Sequence, residues 1–251
     1  MIDLPSSFLT RPIAHRGLHD AACGRVENSA AAITAAINSG YSIEIDVQLS
    51  KDGAAIVFHD YHLDRLTAHR GPIAELREHE LSQIALTGSH DTIPTLNEML
   101  ALIAGQVPLL IEIKDQDGNM GSNVGELEAA VADALQSYKG HIAVMSFNPN
   151  AVAVFAKLQP QTPVGLVTDS FSAEDWPTLS ACMREHLAEI SDFDRTGACF
   201  ISHNQAKLHD QAVVRLKTRG VPILCWTVRS QDAEITARKI ANNITFENYQ
   251  A

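Results

Sequence analysis

The segment from residue 42 to residue 60 (SIEIDVQLSKDGAAIVFHD) carries carboxylates and a histidine at spacings that could do chemistry. Its first part alternates apolar and polar side chains, a pattern typical of a β-strand. Glu44 and Asp46 are therefore expected on one face of that strand, about 6.5–7 Å apart along it. Two carboxylates at this separation repel each other unless a cation or a shared proton lies between them. We interpret the pair as part of a site.

A hairpin is expected to bring a histidine to the same face. The dipeptide Asp52-Gly53 suits a two-residue turn, and such a turn sets Asp46 opposite His59. Residues directly opposite each other in a hairpin share a face of the sheet. The hairpin therefore predicts that Glu44, Asp46 and His59 are presented together.

A third carboxylate and a lysine lie in a later predicted strand, residues 107–114 (VPLLIEIK), where Glu112 and Lys114 share one face. Three carboxylates from two neighbouring strands suit one hard divalent cation with oxygen ligands, either Mg²⁺ or Ca²⁺. The alternative is that Glu44 and Asp46 belong to the solvated face of an edge strand. Lys114 could then be a surface lysine at a strand end.

Composition excludes several classes of partner. The chain has 251 residues, 45% of them hydrophobic, and a formal net charge of −11, which argues against a nucleic-acid or anionic-membrane surface. No apolar run approaches the ~18 residues of a membrane span, so no stable membrane association is expected. The four cysteines lack CxxC spacing and are interpreted as reduced, which indicates a cytoplasmic protein.

The elements that must position these side chains alternate between strands and helices along the chain. Eight strands expected to run parallel, separated by helices, favour an α/β fold, a single-domain (β/α)8 TIM barrel over residues 1–251. The hairpin extends the second strand, and residues 61–94 are expected to form a short insertion after it. No dinucleotide fingerprint or P-loop follows the first strand.

The barrel interpretation gives the candidate residues a common position. In this fold the working residues lie at the carboxyl ends of the strands. His15 and Arg16 end the first predicted strand, and Trp226 ends the seventh. We interpret Trp226 as a substrate contact, with barrel core as the alternative. Glu27 is either a first-turn acid that favours the helix dipole or a partner of Arg16.

The segments HRG, VENS, EIDVQLSKDGAAIVFHD, IPTLNEML, IEIK and WTV follow one another in this chain. In this order they resemble the glycerophosphodiester phosphodiesterase family, densely from about residue 13 to residue 114 and more thinly afterwards. The resemblance implies a (β/α)8 barrel that uses a divalent metal. It also implies the reaction, hydrolysis of small glycerophosphodiesters such as glycerophosphocholine or glycerophosphoethanolamine to sn-glycerol 3-phosphate and an alcohol.

The resemblance also implies roles for individual residues. His15 of HRG and His59 of VFHD would be the acid/base pair, and Arg16 and Lys114 would hold the phosphate. The implied metal ligands are Glu44, Asp46 and Glu112. Two departures are visible: VENS replaces the usual PENT, and ITFENY replaces the usual ITDYP near the end, where the contribution of the last strand is left open.

Three alternative functions remain at this point. One is a lysophospholipase D-like activity on lysophospholipids. The second is Mg²⁺-dependent enolate or aldol chemistry, which would use the carboxylates and Lys114 but leave paired histidines without a task. The third is binding of a phosphorylated metabolite without turnover, which would require one catalytic position to be missing.

Overall fold

The computed structural model describes residues 2–251 and has a closed barrel of eight parallel strands. The first strand pairs with both the second and the last, which closes the ring. A ninth, short strand pairs antiparallel with the second and forms the expected hairpin. The (β/α)8 fold is thus confirmed. The strands are β1 Ile13–Ala14, β2 Ser42–Leu49, β3 Ala55–Val57, β4 Leu109–Ile113, β5 Ile142–Ser146, β6 Val164–Thr168, β7 Phe200–Asn204, β8 Ile223–Val228 and β9 Asn243–Phe246.

Helices follow the strands and cover the outside of the barrel. Five of the ten α-helices within residues 2–251 begin at a side chain that accepts a backbone N–H, as expected for an N-cap. At α4, Thr95 and Glu98 form a capping box, which the spacing of the two residues in the sequence predicts. The helices are α1 Ser7–Thr10, α2 Ala30–Asn38, α3 Glu78–Leu81, α4 Leu96–Ile103, α5 Glu126–Leu135, α6 Pro149–Leu158, α7 Ala181–Ala188, α8 Phe193–Thr196, α9 Gln211–Thr218 and α10 Gln231–Ala237.

The composition of residues 173–190 predicts one continuous helix, but only the later part of this range, α7, is helical. Pro177 disfavours helical backbone at the residue before it. Ser180 then caps the helix by accepting the Met183 N–H. A turn thus replaces the first part of the predicted helix.

Alternation along the strands divides the core into two parts. Outward-facing residues such as Ile43, Ile45 and Val47 pack against the helices. Inside the barrel, apolar side chains such as Leu110 and Leu224 fill the amino-terminal part. This end is closed by α1, where Asn243 donates to the carbonyl oxygens of two residues of the first segment. The polar residues of the barrel interior therefore lie at the carboxyl ends of the strands.

The register of the hairpin differs from the prediction by one residue. Val47 pairs with Val57, so Asp46 lies opposite Phe58 and not opposite His59. The loop holds three residues, 51–53, because the Ser50 hydroxyl accepts the N–H of Ala54 and closes a wider turn. The prediction of a two-residue turn was wrong.

Residues 61–94 cover one side of the hairpin. Apolar side chains of this segment, among them Leu63, Ile73 and Leu81, pack against Ile56 and Phe58 of the return arm. The segment is therefore anchored by its own small core, and it holds Tyr61 and Arg65 beside the barrel mouth. Within residues 2–251, none of the helices combines the length and apolar character that crossing a bilayer requires.

Candidate active site

Three carboxylates meet at the carboxyl ends of β2 and β4. Glu44 and Asp46 point inward from β2, and Glu112 is the register partner of Asp46 on β4. One oxygen of each carboxylate lies within 4.8 Å of the others. All three residues are buried, with exposed fractions of 1%, 1% and 7%. The edge-strand alternative therefore does not describe Glu44 and Asp46, because this face is inside a closed barrel.

Two positively charged side chains lie among these carboxylates. The Lys114 ammonium is 2.7 Å from Asp46 Oδ1 and 2.6 Å from Glu112 Oε1. The Arg16 guanidinium lies 3.2 Å from Asp46 Oδ2 through Nε. Its Nη1 donates to Glu27 Oε1 at 2.7 Å, so Glu27 does contact Arg16. Three carboxyl groups thus face two cationic side chains.

The electrostatics differ among the acids. Burial, together with the charges of Asp46 and Glu112, raises the pKa of Glu44 well above its usual range. Burial would also raise the pKa of Asp46, but Lys114 and the other neighbouring cations hold it well below its usual range. Burial would lower the pKa of Lys114, but the carboxylates of Asp46 and Glu112 raise it. The raised pKa of Glu44 means that the cluster would be stabilised by one more positive charge beside this carboxyl group.

The donor set fits a divalent cation. Glu44 accepts the Arg16 backbone N–H with Oε2 at 2.9 Å, whereas its Oε1 is buried without a hydrogen-bond partner. A buried carboxylate oxygen without a partner is costly. Beside two further carboxylates it offers the oxygen ligands that Mg²⁺ and Ca²⁺ prefer.

The turn after β1 positions Arg16. Both Arg16 and Gly17 have positive φ, 55° and 78°. A Cβ on Gly17 would lie 2.9 Å from the backbone carbon of Ala32 in α2, so the chain can pass here only with glycine. The glycine of HRG therefore serves to aim its neighbours at the carboxylates.

Both candidate acid/base histidines line the cavity above the carboxylates. This cavity of about 160 Å³ is bordered by His15, His59, Glu44, Glu112 and Lys114, among others. His59 Nδ1 lies 2.7 Å from Asp60 Oδ1. His59 lies two residues after the end of β3 and is not paired with Asp46, whereas the predicted hairpin register required that pairing.

His15 is more deeply enclosed. Its Nδ1 lies 2.5 Å from Glu247 Oε2, just after β9. Burial, opposed by the Glu247 carboxylate, lowers the pKa of His15 to about 4. His15 is therefore neutral at pH 7 and able to accept a proton.

Trp226 lies at the position expected for a substrate contact. It borders the same cavity at the end of β8, and its Nε1 donates to the Ser202 carbonyl oxygen at 3.0 Å. Its ring meets Phe147 edge to face, with 5.5 Å between centroids. Beyond Phe147, a second chamber of about 410 Å³ is lined by Tyr61, Trp176 and others, and it shares His59 and Lys114 with the first.

Three contacts were missed by the reasoning from sequence. Asn28 donates to Asp46 Oδ2 at 2.9 Å, and it lies within the VENS segment that carried the resemblance. Asp60 follows His59 directly in the motif VFHD. Glu247 lies in ITFENY, the segment that departs from the family pattern, but nothing in the sequence indicated its contact with His15.

Comparisons with known proteins agree with this geometry. The family model described as "Glycerophosphoryl diester phosphodiesterase family" matches residues 15–244. A glycerophosphodiester phosphodiesterase of Caldanaerobacter subterraneus is 28% identical over 235 residues, 90% of this chain and 88% of the relative. Glycerophosphodiester phosphodiesterase 1 of Bos taurus is 34% identical over 246 residues, 88% and 72% respectively. A phosphodiesterase of Oleispira antarctica, solved with the product sn-glycerol-3-phosphate, superposes with a TM-score of 0.78 at 25% identity, covering 97% of this chain and 94% of that one.

Proposed function

Because the chain belongs to the glycerophosphoryl diester phosphodiesterase family, and is thus a phosphoric diester hydrolase, we propose that its barrel mouth cleaves glycerophosphodiesters. The products would be sn-glycerol 3-phosphate and an alcohol. The observation that carries the proposal is the convergence of three buried carboxylates, two cations and two histidines on one cavity.

We propose one divalent cation, Mg²⁺ or Ca²⁺, held by Glu44, Asp46 and Glu112. The free Glu44 oxygen and the three converging carboxylates support this assignment. When bound, the cation would offset the negative charge of the phosphate oxygens and make the phosphorus more electrophilic.

Arg16 and Lys114 are proposed to hold the phosphate. Both side chains are largely buried beside the cavity, where the low polarity strengthens their attraction for an anion. Glu27 keeps the Arg16 guanidinium in place from its other side. A bound phosphate would thus meet cations whose direction is already fixed.

His15 and His59 are proposed as the acid/base pair. Each has Nδ1 against a carboxylate, which leaves Nε2 for proton exchange in the cavity that both rings border. One imidazole would take the proton of the attacking oxygen, and the other would donate a proton to the alcohol that leaves. An enolate-forming reaction would not use this pair of histidines.

The attacking oxygen is proposed to be the 2-hydroxyl of the glycerol. Its attack on phosphorus forms a cyclic phosphate as the bond to the head-group alcohol breaks, and water then opens the ring to glycerol 3-phosphate. A substrate with hydrogen in place of this hydroxyl tests the route. It should be turned over at least 100-fold more slowly, whereas undiminished turnover would rule out a cyclic intermediate.

The second chamber, beside His59, supports the proposal that the substrate carries a small organic head group such as choline or ethanolamine. The rings of Tyr61, Phe147 and Trp176 border it, and aromatic faces attract quaternary ammonium groups. A lysophospholipid is the competing substrate. Rates with glycerophosphocholine, glycerophosphoethanolamine, glycerophosphoglycerol and lysophosphatidylcholine would decide between them.

The proposal is tested directly by measuring glycerol 3-phosphate release from these substrates by purified protein. Activity should vanish after chelation and return with Mg²⁺ or Ca²⁺, and comparing the two identifies the preferred ion. If no substrate yields glycerol 3-phosphate with either ion, the proposed reaction is wrong.

We also propose that the protein acts in the cytoplasm. All four cysteines are free, which suits a reducing compartment. The test is cell fractionation, in which the protein should be recovered with cytoplasmic markers; recovery with secreted or membrane fractions would contradict it.

A further inference from the structure

The two candidate catalytic histidines have matching surroundings. His59 Nδ1 contacts Asp60, and Asp60 in turn accepts from the Arg65 guanidinium at 2.7 Å. His15 Nδ1 contacts Glu247, and Glu247 accepts from the Arg229 guanidinium, also at 2.7 Å. Each imidazole is thus backed by a carboxylate, and each carboxylate is backed by an arginine.

The two carboxylates reach their histidines in different ways. Asp60 is the next residue after His59, whereas Glu247 lies 232 positions from His15 and arrives through the pairing of β1 with β9. The His15 N–H also donates to the Phe246 carbonyl oxygen, which fixes the backbone of the two residues side by side. Both side chains are largely buried, each with 12% exposed.

We propose that Glu247 is a positioning residue for His15. The proposal rests on the proposed hydrolysis and assigns a task to the last strand, where the sequence departs from the family pattern. A carboxylate at Nδ1 fixes the tautomer with hydrogen on Nδ1 and leaves the Nε2 lone pair facing the cavity. It also stabilises the imidazolium that forms when Nε2 takes a proton.

The neighbouring His19 does not change this assignment. Its Nε2 lies 3.5 Å from the same Glu247 oxygen, so two imidazoles and a carboxylate form a cluster that could in principle hold an ion. However, ligands that share a four-coordinate ion at about 2.0–2.1 Å lie more than 3 Å apart. The 2.5 Å between His15 Nδ1 and Glu247 Oε2 is shorter than this separation, so the two groups are joined by a hydrogen bond and not by a shared ion.

Steady-state kinetics of two variants test the proposal. Glu247→Ala should lower kcat by about 10- to 100-fold while KM changes less than threefold, because Glu247 does not line the cavity proposed to hold the phosphate. Glu247→Gln keeps an oxygen for the Nδ1 hydrogen and should retain more activity than the alanine variant. The matched control is Glu234→Gln, which removes a carboxylate bound to Arg238 and Tyr249 without contact to His15, and it should leave kcat within twofold.

A double-mutant comparison separates positioning from a structural effect. With His15 already replaced by alanine, the further change Glu247→Ala should cost less than twofold, because nothing remains to be positioned. An equal loss with and without His15 would overturn the proposal, and so would unchanged kcat in both Glu247 variants. If the alanine variant does not fold, the glutamine variant carries the same comparison.

Nitrogen NMR of the His15 ring gives a readout that needs no activity. In the wild type the signals should report hydrogen on Nδ1, and in Glu247→Ala a mixture of both tautomers. The same tautomer distribution in both proteins would overturn the proposal. A wild type that releases no glycerol 3-phosphate would contradict the proposed reaction, while the NMR result would still decide whether Glu247 fixes the imidazole.

Discussion

Lys114 lies between Asp46 and Glu112, with its Nζ 2.7 Å and 2.6 Å from the two carboxylates. A residue proposed to hold the phosphate thus also contacts two of the proposed metal ligands. Lys114 helps to keep the Asp46 carboxylate ionised, since its charge lowers the pKa of Asp46 against the burial that would otherwise raise it. The lysine would thus link the proposed phosphate binding to the charge of Asp46 in the proposed cation site.

Replacement of Lys114 by methionine should destabilise the protein. The buried carboxylates of Asp46 and Glu112 would lose a shared cation, and breaking a buried ion pair costs about 3–5 kcal/mol. Urea unfolding at pH 7 measures the loss, with Lys139→Met at an exposed position as control. A free energy of unfolding equal to that of the wild type would mean that the carboxylates do not depend on Lys114.

Divalent cations should raise the melting temperature of the wild type. A ligand that binds only the folded state stabilises it by about 2.7 kcal/mol at 100 times its dissociation constant. The variant Glu44→Gln should lose most of this shift, because it replaces the carboxylate whose Oε1 has no partner. Glu98→Gln in the α4 capping box serves as control and should keep the shift. An undiminished shift in Glu44→Gln would place the cation elsewhere.

Glu27 should contribute stability that depends on pH. Although burial opposes it, the arginines 65 and 16 lower the pKa of Glu27 from 4.5 to about 2. A carboxyl whose pKa is lower in the folded state stabilises the fold above its unfolded pKa, and this stability is lost as pH falls through the folded value. The contribution is therefore complete above about pH 4.5 and disappears towards pH 2, with a size on the order of 3 kcal/mol.

The measurement is the difference in unfolding free energy between the wild type and Glu27→Gln across this pH range. The difference should be large at pH 7 and shrink steadily below pH 4.5. Glu126→Gln, in the first turn of α5 and outside this network, is a control for a general effect of charge. A difference independent of pH would show that Glu27 stabilises through packing and not through its charge.

The leaving group should reveal which histidine is the acid. Removing a general acid or base typically costs 10²- to 10⁴-fold, so His15→Ala and His59→Ala should both be strongly impaired on glycerophosphocholine. A nitrophenol head group leaves without a proton. The variant that lacks the acid should therefore recover on the nitrophenyl ester, whereas the variant that lacks the base should not. Equal recovery of both variants would contradict a division of labour between the two imidazoles.

Much of the fold was predictable because it depends on local periodicity. Alternation along residues 42–49 correctly divided β2 into a helix-facing side and an inward side, and the capping box at Thr95 marked the start of α4. The register of the hairpin was not predictable, since it depends on whether a serine hydroxyl at position 50 closes a two- or a three-residue loop. Such a hydrogen bond leaves no periodic signal.

The site was predictable only in part, for a similar reason. The inward carboxylates follow from strand alternation, and the histidines from motifs that resemble a family. The contact of Glu247 with His15 depends on the seam between β1 and β9, which joins residues 232 positions apart. The position of Lys114 between Asp46 and Glu112 depends on the course of one flexible side chain. Local spacing places Glu112 and Lys114 on one face, but it encodes neither the contact of Lys114 with Asp46 nor that of Glu247 with His15.

The seam between β1 and β9 also sets the order in which the protein can become active during its synthesis. Ile13 and Ala14 must wait for residues 245 and 246 before the ring closes. The proposed cation ligands all lie between residues 44 and 112, whereas His15 can meet Glu247 only once residue 247 has been synthesised. A ribosome-bound nascent chain would therefore contain the proposed cation ligands before His15 has acquired its Glu247 partner.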